Sequence, residues 1–205
     1  MNKEGFANII LLIIIAILVG IIGYFVFIQK PETPPVPPVP TTKKTEKPTA
    51  DNVKRYTNSL LGIEFFYPKN FIPYFRDNEY IGNQPARFTS GKDSYAPLYG
   101  YSTFVISAAG LKEANLTIDQ VTENSAQHKL RPFGENPLID KLEIEGQEAR
   151  FIIPSDPNNN ERELIVRLKN SVLVGDRYWT FLVIHASGDL SGEAIETISE
   201  SLLFL

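Results

Sequence analysis

The hydrophobic and polar positions divide the chain into stretches with different patterns. An apolar run from Phe6 to Phe27 contains no charged residue. A polar, proline-rich stretch follows from Pro31 to Ala50, and after Tyr56 apolar and polar residues alternate. This pattern predicts four parts: a short N-tail at residues 1–5, a transmembrane helix at 6–28, a stalk at 29–53 and a globular domain at 54–205.

The apolar run is long enough to cross a bilayer as one helix. Its 22 residues would span roughly 33 Å at the helical rise. A cleaved secretory signal is the alternative, but the run ends in Phe25 to Lys30 without the small residues that mark a cleavage site. We therefore expect an uncleaved single-pass anchor in the cell membrane. Ala16 and Gly20 have the small-residue spacing that lets two such helices dimerise.

Two signals give opposite orientations for the domain beyond the helix. Lys30, Lys43, Lys44 and Lys47 follow the helix, whereas only Lys3 precedes it, and this excess favours a cytoplasmic domain. A very short N-tail before one apolar run instead resembles a bacterial signal-anchor. On that resemblance we expect the C-terminal domain to be extracytoplasmic.

The first residues also resemble a type IV prepilin signal. Gly5-Phe6 matches the cleavage position, but Ile10 stands where the family carries a glutamate. Pro31 also breaks the helix that pilins continue beyond the membrane. A pilus-related subunit therefore stays an alternative to a simple anchor.

Prolines dominate the stretch that links the anchor to the domain. Seven of the 20 residues from Pro31 to Ala50 are proline, which prevents helix and sheet and favours an extended polyproline II chain. Fully extended, the stretch would reach roughly 60 Å. A groove-binding proline motif in Pro34 to Pro37 is the alternative to a spacer.

Alternation with a period of two predicts most strands of the domain. The run Tyr178 to His185 is apolar at almost every position, which indicates a central strand covered on both faces. Turns are expected at Gly146-Gln147 and Asn170-Ser171, with a longer loop between them. The remaining strands are predicted at residues 55–58, 63–67, 101–108, 142–144, 149–153 and 164–168.

Two helical segments complete the domain. Thr117 and Gln120 form a capping box at the start of the first helix. After Ser191, Ile195 and Ile198 recur at helical spacing in the second. A helix, a strand meander and a closing helix predict an α+β domain in which helices pack on an antiparallel sheet.

The composition argues against several kinds of catalytic site, metal site and partner. The chain has no cysteine, so disulfides, thiolate nucleophiles and cysteine-ligated metals are excluded. Residues 51–205 carry 15 Lys and Arg against 21 Asp and Glu. An acidic domain lacks the basic face that engages phosphates, so we do not expect it to bind nucleic acid.

Several short motifs in the domain are typical of one known family. They are Tyr56-Thr57-Asn58, Leu61 to Pro68 followed by Phe71, Gly146-Gln147-Glu148-Ala149, Tyr178-Trp179-Thr180-Phe181 and the closing Ile198 to Phe204. In these motifs the domain resembles the PsbP-like family. The resemblance implies an antiparallel sheet between helices, an α/β/α sandwich. It carries over no functional residue, and fold-level analogy supplies no function.

The residues that could carry catalysis or bind metal form no recognisable motif. His128 and His185 are the only histidines, and two histidines do not make a metal site. Asp156 to Glu161 places oxygen ligands as a calcium loop does, but Glu161 and Arg167 stand where such a loop needs glycine and glutamate. We therefore predict no catalytic residue, cofactor or metal.

Aromatic residues in two predicted loops are the candidate contacts for a protein partner. They lie in FIPYFRDNEY (71–80) and YAPLYGY (95–101), and exposed tyrosines are common contact residues. The alternative is that these aromatics close the edges of the sheet. The candidate contacts are Tyr74, Tyr80, Tyr95 and Tyr99.

Together these features favour a membrane-anchored, extracytoplasmic domain that binds or scaffolds a protein without catalysis. An envelope hydrolase with an unrecognised site is the alternative from a different class. A deep polar pocket that holds His185 beside carboxylates would favour the hydrolase, and a solid core around His185 would remove it.

Overall fold

The fold is described from a computed structural model of residues 51–74, 80–91, 101–130 and 132–205. The chain divides into two units between residues 46 and 47, and every described residue belongs to the second. The predicted N-tail, membrane helix and almost all of the stalk lie outside the described residues. Within those residues, no helix is long and apolar enough to cross a membrane.

Twelve strands and two α-helices make up the described domain. The helices are α1 (Ile118–Ala126) and α2 (Ser191–Ser201), and a short 3-10 helix spans Lys112–Ala114. The strands are β1 (Val53–Asn58), β2 (Ile63–Pro68), β3 (Ile72–Tyr74), β4 (Tyr80–Ile81), β5 (Gln84–Pro85), β6 (Arg87–Thr89), β7 (Thr103–Leu111), β8 (Leu138–Ile144), β9 (Gln147–Ile153), β10 (Arg162–Val174), β11 (Arg177–Ser187) and β12 (Leu203–Phe204).

An antiparallel sheet of seven strands forms the centre of the domain. Its strand order is β3-β6-β7-β11-β10-β9-β8. A three-stranded sheet, β1-β2-β12, and a two-stranded hairpin, β4-β5, stand beside it. The mostly β domain with two helices confirms the predicted α+β class and its antiparallel sheet.

Each face of the seven-stranded sheet carries its own hydrophobic core. Ile152, Ile165 and Phe181 pack with Val121 of α1 on one face. The larger core on the other face joins the sheet to β2 and α2, through residues that include Phe65, Phe88, Phe104, Leu164, Leu182, Ile184, Ile195 and Ile198. Neighbouring β11 residues therefore enter opposite cores, and the prediction of a central strand covered on both faces is confirmed.

Both predicted helices are present. The Thr117 hydroxyl accepts from the Gln120 backbone amide at 3.2 Å, and the Gln120 side chain accepts from the Thr117 amide at 2.9 Å. The predicted capping box is thus confirmed. In α2, Ile195 and Ile198 are fully buried, as their spacing predicts.

Two predicted turns are displaced. The β8–β9 turn is Glu145-Gly146 rather than Gly146-Gln147. Glu145 and Gly146 have positive φ, 51° and 75°, as the two central residues of such a two-residue hairpin turn require. β10 continues through Asn170 and Ser171 and turns only at Gly175, where φ is 67°. A bulge between Arg167 and Val172 accommodates the extra length.

Candidate functional site

An apolar groove opens between the β4–β5 hairpin and strands β7 and β11. Its volume is about 300 Å³. Tyr80 stands on its rim with 46% of its surface exposed, and Trp179 is half-buried in its wall. Apolar side chains line most of the remainder, among them Ile81, Ala86, Val105, Ala108 and Val174.

The hairpin that carries Tyr80 is fixed by a buried asparagine. Asn58 is 1% exposed, and its side-chain amide donates to the Ile81 carbonyl at 3.1 Å and to the Tyr56 hydroxyl at 3.0 Å. Its carbonyl oxygen accepts from the Leu61 amide at 3.0 Å. These bonds satisfy the hydrogen-bonding groups of the buried side-chain amide. Through the bond to Ile81, Asn58 also ties the hairpin to the end of β1.

The β10 bulge determines which residues of β10 face the groove. Beyond the bulge, Val172 lies opposite Trp179, and Val174 lies opposite Arg177. Directly opposite residues share a face of an antiparallel pair, so Val172 and Val174 lie on the same face as Trp179. The bulge therefore joins the end of β10 to the wall of the groove.

The groove has the composition of a contact site for an apolar side chain. Tyrosine and tryptophan supply large contact surfaces together with a hydroxyl and an indole N–H that can donate hydrogen bonds. An open, mostly apolar concavity with a few polar donors suits a protruding hydrophobic anchor of a partner.

A second cluster surrounds His185 on the face of the sheet covered by α1. Its Nε2 lies 2.7 Å from a Glu161 carboxylate oxygen, and its Nδ1 lies 3.1 Å from a Glu163 oxygen. The other Glu163 oxygen accepts a hydrogen bond from the Ser125 hydroxyl of α1. The Phe133 ring meets the imidazole edge-on, with centroids 5.8 Å apart.

This cluster holds a positive charge. Burial lowers the pKa of His185, but the hydrogen bonds that its ring donates to the carboxylates of Glu161 and Glu163, together with their negative charges, outweigh burial and raise the pKa to about 9. The imidazole is therefore protonated at neutral pH and donates both N–H groups to carboxylates. Since Ser125 faces Glu163 rather than an imidazole nitrogen, the serine and histidine do not form a nucleophile–base pair.

The predicted contact tyrosines occupy different environments. Tyr80 lies on the groove rim, whereas Tyr74 is 7% exposed at the end of β3. Tyr95 and Tyr99 lie outside the described residues. Trp179, predicted only as part of a central strand, is the groove residue that sequence reasoning missed. No sequence signal indicated this role, because the register irregularity of the neighbouring strand β10 is visible only in the structure.

The remaining candidate residues take part in local contacts. His128 is exposed, and its Nδ1 accepts from the Leu130 amide at 3.4 Å. In the loop considered for calcium, Asp156 accepts from the Asn158 amide at 2.9 Å. Among the residues that the structure describes, no three His, Asp or Glu side chains are grouped to hold a metal.

Comparison with known proteins finds a likeness among solved structures. No family model matches the chain, and no curated protein matches it. The domain is similar to the solution structure of cyanobacterial PsbP (CyanoP) from Synechocystis sp. PCC 6803, with 15% identity and a TM-score of 0.38. The match covers 75% of this chain and 93% of that one. At this identity the likeness concerns the fold alone, and at this score it carries no argument about family or function.

Proposed function

We propose that this chain is a membrane-anchored, extracytoplasmic domain that binds a protein partner through the groove between Tyr80 and Trp179 and carries out no catalysis. The observation that carries the proposal is this groove, in which an exposed tyrosine and a half-buried tryptophan line the same mostly apolar concavity. Such aromatic anchors concentrate binding energy in protein interfaces.

The attachment of the groove supports a binding role. Tyr80 stands on a short hairpin that Asn58 ties to the end of β1, so the backbone that carries its ring is held in place before a partner arrives. A site organised in advance spends little binding energy on ordering its own side chains. The predicted anchor and proline-rich stalk would display this site at a distance from the membrane.

The charge state of His185 favours binding over hydrolysis. A general base must be neutral at the working pH, whereas the pKa of His185 is raised to about 9. Its two carboxylate partners already occupy both ring nitrogens. The cluster joins α1 to the sheet, which is a structural role.

A photo-activatable cross-linking residue tests the proposal in cells that make the full chain. We place it at Tyr80 and, as a matched control, at Tyr178, a tyrosine of β11 with nearly the same exposure, 44% against 46%. Because successive side chains of a strand point to opposite faces, Tyr178 lies on the face of β11 opposite to Trp179. We expect a discrete cross-linked envelope protein from position 80 and none from position 178.

Three outcomes would contradict parts of this account. Equal adducts from both positions would show that the groove is not the contact site. A partner confined to the cytoplasm would contradict the extracytoplasmic placement. Absence of any adduct at position 80, with the chain folded and in the membrane, would remove protein binding at this groove.

A further inference from the structure

Strand β8 forms one edge of the seven-stranded sheet. Among the described residues it pairs only with β9, across seven residues from Leu138 to Ile144. Three of its apolar side chains are exposed: Leu138 at 57%, Ile139 at 38% and Leu142 at 39%. A long edge strand with exposed apolar residues is a template for pairing with another strand.

The hairpin register determines which backbone groups of β8 face outward. Ile144 and Gln147 close the two-residue turn, so they form a hydrogen-bonded pair, and such pairs alternate along the ladder. Leu142 therefore directs its N–H and C=O toward β9. Ile139, Lys141 and Glu143 direct theirs away from the sheet, where an added strand would meet them.

Like charges lie side by side on one face of this hairpin. Lys141 is opposite Arg150, and Glu143 is opposite Glu148. Like charges directly across a ladder are destabilising. Arg150 is buried and paired with Asp119, and Glu148 is paired with Arg167. The charges that the edge itself presents are therefore those of Lys141 and, two residues further along, Glu143.

Only a second edge with the reverse order of charges complements this pattern, and a two-fold copy of β8 has that order. An antiparallel copy that keeps the faces of the sheet aligned pairs residues of the same parity. A two-fold axis at Lys141 would place the two copies of Lys141 directly opposite each other. An axis at Asp140 would do the same for the two copies of Asp140. An axis at Leu142 places Lys141 of each copy directly opposite Glu143 of the other copy, and Leu142 opposite its own copy.

From this register we infer that β8 is a self-association edge, at which two copies of this chain join their sheets antiparallel about a two-fold axis at Leu142. Two strands, β10 and β9, separate this edge from β11, so the association is separate from the proposed partner groove. Lys141 and Glu143 of each copy form the cross-strand ion pairs. The outward N–H and C=O groups of Lys141 and Glu143 supply the ladder hydrogen bonds.

Disulfide formation tests the register, because the chain contains no cysteine. In the full chain in membranes, Leu142→Cys places two thiols in a non-hydrogen-bonded pair with Cα atoms about 4.5 Å apart, within disulfide range. Glu143→Cys is the matched control, since its two copies would lie about 8 Å apart. We expect rapid dimer formation from Leu142→Cys and little from Glu143→Cys.

Charge reversal in the Leu142→Cys background tests the ion pairs. Lys141→Glu opposes glutamates twice and should slow cross-linking about tenfold, and adding Glu143→Lys should restore it. Lys129→Glu, the same charge change at an exposed site, should leave the rate unchanged. Equal cross-linking at positions 142 and 143, no response to Lys141→Glu, or protection of β8 by a different protein would overturn the inference.

Discussion

Single side chains account for how the candidate surfaces of this domain are held. Asn58 reads in the sequence as an ordinary polar residue at a strand end, yet it ties down the hairpin that carries Tyr80. His185 ends the apolar run that predicts a covered central strand. It does contact Phe133, but it also holds a proton between two glutamates. Neither role is visible in the sequence, because the partners lie 23 and 22–24 positions away.

The pKa of His185 leads to a prediction about stability and pH. The pKa is about 9 in the folded protein and 6.5 when unperturbed. The contribution of His185 to stability is therefore fully present below about pH 6.5 and is lost as the pH rises through 9. Two carboxylates face the ring: Glu163 on β10 and Glu161 in the loop before it. The Ser125 hydroxyl of α1 faces Glu163.

Chemical denaturation of wild type and His185→Gln checks this prediction. The difference in unfolding free energy between the two should be largest near pH 6 and should shrink steadily toward pH 9.5. His128→Gln, at the exposed histidine, is the control and should show no such trend. A difference for His185→Gln that stays constant across this range would mean that the imidazole is not held protonated.

The helices and the β10 bulge show how far sequence patterns predict the elements. The capping box, the periodicity of α2 and the central strand follow from local rules and are all found in the structure. The prediction of a turn at Asn170-Ser171 is wrong. Those two residues favour turns locally, but Leu168 before them is buried and β10 continues past them. The bulge that aligns Val172 with Trp179 depends on the neighbouring strand.

The capping box yields a prediction for α1. Thr117→Ala removes the hydroxyl that accepts from Gln120 and should lower the unfolding free energy by about 1 kcal/mol. Thr117→Ser keeps the acceptor and should lower it much less. Thermal unfolding of both variants measures the difference. Equal losses would show that the methyl group, rather than the cap, supports the helix.

At the scale of the whole molecule, the described domain carries two separate surfaces, and the sequence predicts an anchor and a stalk before it. The α+β class and antiparallel sheet were predictable from alternation and helix signals. The groove was not, because it forms where β4–β5, β7 and β11 meet. Of the four tyrosines proposed as contacts, Tyr80 lies at this groove, Tyr74 is buried, and Tyr95 and Tyr99 stay predictions.

The most direct test of the central claim is the dissociation constant of the partner captured at position 80. Trp179 is the only tryptophan of the chain, so its fluorescence reports binding at the groove. We expect Tyr80→Ala to weaken binding about thirtyfold, as for a hot spot of about 2 kcal/mol, with the unfolding midpoint unchanged. Tyr178→Ala should bind as wild type does. Equal binding by wild type, Tyr80→Ala and Tyr178→Ala would contradict the claim that this groove binds the partner.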